Sequence, residues 1–390
     1  MPVYNRIAEF HADMIAWRRD IHAHPETAFE EHRTSDFVAR RLEAFGIEVA
    51  RGLAGTGVVG TIRNGEGPAI GLRADMDALH VHEENDFAHA STARGRMHAC
   101  GHDGHTVMLL GAARYLAETR RFRGTVHFIF QPAEENEGGG RTMVEEGLFR
   151  RFPVEAVYGM HNWPGLDAGR FAVAAGPIMA AADTFELIVT GRGAHAAMPH
   201  KGIDPIVVAA QIVTALQTVS SRAVDPMDGV VVSVTQFHAG DTWNVIPERA
   251  ILRGTARAFR AEVHDRIEPA IRRIAEGVAG ALGATASLRY ERRYPATVNS
   301  PRETEIAAEA AAAVVGIAGV ERAPTPSMGS EDFSFMLRER PGCYVWIGNG
   351  PGEGGCTLHN PRYDFNDAIL PVGASYWVKL VETVQGLGEK

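Results

Sequence analysis

The sequence predicts an α/β protein, a mixed sheet with helices on both faces, interrupted by a small inserted α+β domain. Three observations carry this expectation. The apolar runs 126–130 and 154–160 lack polar alternation, which suits strands buried on both faces of a helix-covered sheet. Helical patterns alternate with such runs along the first part of the chain. From Asp183 the order changes to β-α-β-β-α-β, a ferredoxin-like split βαβ arrangement.

Ile7, Phe10, Met14, Ile15 and Trp17 recur at helical spacing, and Pro25 marks the break. A second helical pattern passes through Phe29, Phe37, Val38 and Leu42 and ends near Gly46. Short β-like runs follow at 47–50, 57–62 and 68–72, then a helix over 106–118 leading into a strand at 124–130. In the insert, strands are expected at 184–190, 229–237, 249–259 and 285–292, with helices over 204–221 and 261–282. After Pro295 the earlier style resumes, with helices over 303–315 and 332–338 and an apolar run at 343–347. The expected boundaries are a catalytic domain over 1–182, an insert over 183–295, and the rest of the catalytic domain over 296–390.

Composition narrows the functional classes. A chain of 390 residues favours two domains, and 45% apolar with 22% charged residues excludes wholesale disorder. The net charge of −9, with no long Lys/Arg run, argues against nucleic acid and anionic membranes as partners. No stretch reaches 18 uncharged apolar residues, and Glu9, His11 and Asp13 interrupt the N-terminus where a signal peptide would be apolar. A soluble, cytoplasmic protein is expected. Cys100, Cys343 and Cys356 are too few for a disulfide framework, which leaves buried, reactive or metal-binding roles.

Four segments carry residues suited to chemistry. Met97-His98-Ala99-Cys100-Gly101-His102-Asp103-Gly104-His105 gathers a thiol, imidazoles and a carboxylate between glycines, just before a helix. Thiolate and imidazole are the preferred ligands of zinc-like cations. The same segment also reads as a helix-entry loop with a buried Cys. Gln131-Pro132-Ala133-Glu134-Glu135 follows a buried strand, where α/β sheets gather ligands. Two adjacent glutamates there can divide metal binding from proton transfer, or form an exposed acidic loop. His161 ends the next apolar run, and His359 follows a glycine-rich loop. Together, Cys100, His102, Glu135, His161 and His359 offer five mixed donors, more than one tetrahedral site needs and suited to two cations sharing a ligand.

These residues resemble the bacterial and plant amidohydrolases of the metallopeptidase-20 type. The resemblance also rests on Arg73-Ala74-Asp75-Met76-Asp77-Ala78-Leu79, on Gly191-Arg192-Gly193-Ala194-His195, on Asn244-Val245-Ile246-Pro247, and on the stretch from His359 to Asp367. It implies a zinc-exopeptidase-like catalytic domain with an inserted lid or dimerisation domain, and hydrolysis of N-acyl or N-aroyl amino acids. By resemblance, Cys100 bridges two divalent metals, and His102, Glu135, His161 and His359 complete the ligands. Zinc is favoured, with manganese, cobalt or nickel as alternatives. Glu134 corresponds to the general base, and His195 to the lid residue that stabilises the oxyanion. Asn244 and Arg257 correspond to residues that hold the substrate carboxylate, and Asp75 to an acceptor that orients a ligand imidazole. A small-molecule substrate and a homodimer formed through the insert are implied.

Rival readings stay open on the sequence: a dipeptidase or carboxypeptidase on the same scaffold, a hydrolase with Cys100 as nucleophile, or a non-catalytic binding protein. His80 and His82 depart from the family pattern and are expected at the surface. Cys356, three residues before His359, is a further possible thiol donor.

Overall fold

The computed structural model describes residues 3–135, 137–351 and 357–386, so Cys356 lies outside the described residues. The chain forms two units. One comprises Met1–Ile178, Val298–Thr325 and Asp332–Lys390; the other comprises Met179–Thr297 with Pro326–Glu331. No described helix is long and apolar enough to cross a membrane.

The first unit is built on an eight-stranded mixed sheet. Its order is Glu48–Leu53, Gly57–Asn64, Gly124–Gln131, Ala69–Asp75, Ala156–Trp163, Gly342–Gly348, Phe171–Ala172 and Val320–Glu321. The middle four strands are mutually parallel, so Gln131, Asp75, Trp163 and Gly348 all end at one edge of the sheet. Strand Gly342–Gly348 is buried at every position, as its continuous apolar sequence requires of a strand covered on both faces.

Helix His102–Thr119 is buried along nearly its whole length, with helices His11–Ala23 and Leu370–Gln385 packed against it. It begins four residues before the expected position 106, which brings His102 and Asp103 into its first turn. Strand Ala156–Trp163 likewise runs past residue 160, so His161 is a strand residue. Helix Leu370–Gln385 was not anticipated from the sequence.

The second unit carries a four-stranded antiparallel sheet in the order Val230–Ala239, Arg249–Ala258, Ala181–Thr190, Thr285–Tyr294. Helices Pro205–Arg222 and Ala261–Ala281 complete the β-α-β-β-α-β order. Phe185, Leu187 and Val189 alternate into its core with Ala250 and Leu252, against Val208, Ile212, Ile267 and Ile271 of the helices.

Candidate metal centre

The carboxyl ends of the parallel strands and the start of helix His102–Thr119 meet at one place, as expected where an open α/β sheet gathers ligands. Gly101 makes the approach feasible. Its φ is +92°, and a Cβ there would lie 2.2 Å from Asn162 Nδ2 and 2.6 Å from the Tyr363 hydroxyl. Cys100 and His102 therefore flank a residue that must be glycine.

Five predicted donors assemble from four segments. Cys100, His102 and His161 place ligand atoms within 4.8 Å of one another, and so do Cys100, Glu135 and His359. The two groups share the Cys100 sulfur. His102 with Glu134 and Glu135 forms a third such group. His359 reaches the cluster because its amide donates to the Ala99 carbonyl at 2.8 Å, and its Nε2 lies 3.1 Å from Glu135 Oε1. Cys100 and His161 are buried, Glu135 is half-buried, and His359 is exposed on one side.

The electrostatics favour added positive charge. Burial pushes the Cys100 thiol well up, and the Glu135, Glu134 and Asp75 carboxylates push it further. Burial opposes a charged His102 ring, yet the Asp75 charge and the Asp77 hydrogen bond outweigh it and raise the ring to about 10. Burial pushes His161 well down. His102 Nε2 is buried without a hydrogen-bond partner. Thiol, imidazole and carboxylate donors converge there with an orphaned nitrogen and a surplus of negative charge, and this donor set fits divalent cations.

Asp75 and Asp77 support different parts of the cluster. Asp75 Oδ1 accepts from His105 Nδ1 at 2.6 Å, and His105 Nε2 accepts the Asn162 amide at 2.9 Å. Asp77 holds His102 Nδ1, at 2.9 Å through its carbonyl and 3.2 Å through Oδ1, while its Oδ2 accepts the Glu135 amide at 2.9 Å. Sequence reasoning named Asp75 and missed Asp77, His105 and Asn162. The two-residue spacing of Asp75 and Asp77 at a strand end was the available signal.

A buried polar lattice lies beside the cluster. The Arg73 guanidinium donates to Asp75 at 2.7 Å, Gln131 at 2.8 Å and Asp332 at 3.1 Å. Asp332 precedes helix Phe333–Glu339, but its side chain makes no cap bond. It instead accepts from Gln131 and from the Gly140 amide at 2.7 Å, while its own amide donates to Glu134 Oε1 at 3.3 Å.

The remaining predicted residues lie in the second unit. His195 pairs with Val245 in a short antiparallel bridge, and the Ala196 amide donates to the Asn244 carbonyl at 2.9 Å, so His195 and Asn244 are neighbours. Arg257 sits at the far end of strand Arg249–Ala258 from this pair. Gly191, which leads to His195, bonds to Glu248, and the eight residue steps of strand from Arg249 to Arg257 span about 27 Å. One copy of this unit therefore does not bring Arg257 beside His195 and Asn244. His80 and His82 are exposed, as expected.

Comparison with known proteins agrees with this architecture. The profile of Peptidase family M20/M25/M40 matches residues 71–383. The chain is 40% identical over 379 residues to N-acetylcysteine deacetylase of Bacillus subtilis, covering 96% of this chain and 97% of that one. It is 40% identical over 364 residues to hippurate hydrolase of Campylobacter jejuni, covering 93% and 94%. The crystal structure of Bacillus subtilis YxeP, a dinuclear metal binding peptidase from the M20 family, superposes with a TM-score of 0.85 at 37% identity, covering 97% of this chain and 99% of that one. The chain belongs to Peptidase family M20/M25/M40, whose members are hydrolases of amide bonds.

Proposed function

We propose that this protein is a two-metal amidohydrolase that cleaves the amide of N-acyl or N-aroyl amino acids, releasing a carboxylic acid and a free amino acid. The observation that carries the reading is the pair of three-donor groups sharing Cys100, with Glu134 at their edge. Cys100 would bridge the two ions, and His102, His161, Glu135 and His359 would complete the ligands. Zinc fits the thiol and imidazole donors best, with manganese, cobalt or nickel able to replace it. Bound metals would supply Lewis acidity toward the carbonyl and lower the pKa of water to about 7.

Glu134 then acts as general base: it accepts a proton from the attacking water and delivers it to the departing amine as the C–N bond breaks. His195 would donate to the developing oxyanion, Asn244 of one copy and Arg257 of the other would hold the substrate carboxylate across the dimer, and Asp75 would act through His105. The second unit would serve as a lid and as the homodimer interface of a cytoplasmic enzyme, with the insert bounded near residues 183 and 295. Names of relatives that act on N-acetylcysteine and hippurate support the substrate class. The raised, buried thiol argues against Cys100 as a nucleophile, which would need a ready thiolate.

The test is release of amino acid from hippurate, N-acetylcysteine and a panel of N-acyl amino acids and dipeptides. It uses metal-loaded protein, chelated protein and Glu134→Ala. Loss of at least about 10³-fold in kcat on chelation and in the variant is expected. Full activity after verified metal removal, or a preference for dipeptides, overturns the reading.

A further inference from the structure

The turn that carries Glu134 is held in an unfavourable conformation. Ala133 has φ +54°, in the left-handed region that costs a residue bearing a Cβ about 1 kcal/mol or more. Gly139 closes one side: its amide donates to the Ala133 carbonyl at 2.8 Å, and a Cβ on it would sit 1.8 Å from the Pro132 carbonyl oxygen. On the other side the Ala133 amide donates to Glu31 Oε1 at 2.9 Å. Glu31 is fully buried and comes from the segment before helix His32–Ala44, more than a hundred residues earlier in the chain. Its Oε1 also accepts the Phe29 amide at 3.1 Å, and its Oε2 accepts from Thr56 Oγ1 at 2.6 Å. Two residues beyond Ala133, the Glu135 amide is held by Asp77. Two buried carboxylates from separate segments thus grip alternate amides of one turn, with Glu134 between them.

We infer that Glu31 is a positioning residue for the hydrolysis: by accepting the Ala133 amide it fixes the left-handed backbone that aims Glu134. The inference rests on the reading of Glu134 as general base. Burial raises the Glu31 carboxyl to about 7 although Thr56 and the amides pull it back, so an acceptor is kept here in a place unfavourable to its charge. A backbone shift of an ångström at Ala133 would displace the Glu134 carboxyl by at least as much, and such misplacement lowers rates by about 10²-fold.

The experiment compares Glu31→Ala, Glu31→Gln and Thr56→Val, with Glu31→Ala also made in the background of Ala133→Gly. It reads kcat and KM on the best N-acyl amino acid, together with amide hydrogen exchange of the peptide covering 130–135. Glu31→Ala is expected to lower kcat about 10- to 100-fold with KM within about twofold, and to speed exchange of that peptide but not of helix His102–Thr119. Glu31→Gln retains a carbonyl acceptor and is expected to stay within about threefold of the parent. Ala133→Gly is expected to restore at least about fivefold, because glycine takes the left-handed conformation without strain. If Glu31→Ala does not fold, Thr56→Val, which loosens Glu31 without emptying its site, is expected to show the same fall in kcat at a smaller amplitude. Unchanged kcat and exchange, a Glu31→Gln as slow as Glu31→Ala, or no rescue by Ala133→Gly overturns the inference. Glu134→Gln is measured alongside. An active Glu134→Gln removes the base and this inference together, whereas an inactive Glu134→Gln with Glu31→Ala at full rate removes the inference alone.

Discussion

Cys100 Sγ and His161 Nε2 face each other at 3.3 Å, although one lies in the loop before a helix and the other near the end of a strand. Burial pushes the thiol up and the imidazole down, so both are neutral near pH 7. The His102 ring, raised to about 10, is protonated there. Ligation by Cys100 and His102 must therefore expel one proton from each. Titrating zinc into weakly buffered protein at pH 7 is expected to release at least two protons per chain, since the Glu135 hydrogen bond also raises the His359 ring, and affinity should fall as pH drops. Cys100→Ala should release about one fewer. Zinc uptake without proton release would count against these ligands.

Asp77 touches two of the five donors at once, through the His102 ring and the Glu135 amide. Asp77→Ala is expected to weaken metal binding about 10- to 100-fold and to lower kcat by a similar factor, because both donors lose their orientation. Competition against a chromophoric chelator would measure the first and initial rates the second. Wild-type affinity in Asp77→Ala would mean that packing alone fixes His102.

The contrast between Asp77 and the five donors shows what the sequence made legible. Cys100, His102, Glu135, His161 and His359 stood out because donor types at loop edges beside glycines have few other uses. Their supports did not. Glu31 meets Ala133 from about a hundred residues away, and Arg18 reaches Asp367 across most of the chain; only the fold brings these together. The parallel strands were readable from unbroken apolar runs. Helix Leu370–Gln385 was not, because it buries residues all round, from Leu370 and Tyr376 to Trp377 and Val378, and so lacks the one-sided period that marks a surface helix. Pro371 in its first turn is the signal that could have revealed it.

His22 predicts a pH dependence of stability. Burial opposes its charged form, but hydrogen bonds with Asp103 at 2.9 Å and Glu83 at 3.1 Å prevail and raise it to about 9. A group raised above its unfolded value stabilises the fold fully below the unfolded pKa, here about 6.5, and loses that contribution as pH rises through the folded value. The contribution is on the order of 1–3 kcal/mol. Denaturant melts at pH 6 and pH 10 should show the loss in the parent and a smaller loss in His22→Gln. Equal losses in the two proteins would show that His22 is neutral in the fold.

Self-association is expected to use the second unit. Strand Val230–Ala239 is a sheet edge, and unpaired edges invite pairing with another chain. In the same unit Val207 is 54% exposed, Val245 51%, Phe237 41% and Trp243 completely so, apolar surface that association would cover. Ile206 lies near Gly240, which joins the start of helix Pro205–Arg222 to the loop bearing Trp243. A second copy related by a two-fold axis would cover the same patch on both chains. Sedimentation equilibrium is expected to give twice the 42.2 kDa chain mass. Val207→Glu with Trp243→Glu should shift the mass to the monomer without lowering the thermal stability of the first unit, because both side chains are exposed on the second unit and bury nothing in its core. A parent protein that sediments as a monomer at micromolar concentration, or a dimer indifferent to both glutamates, would place the interface elsewhere.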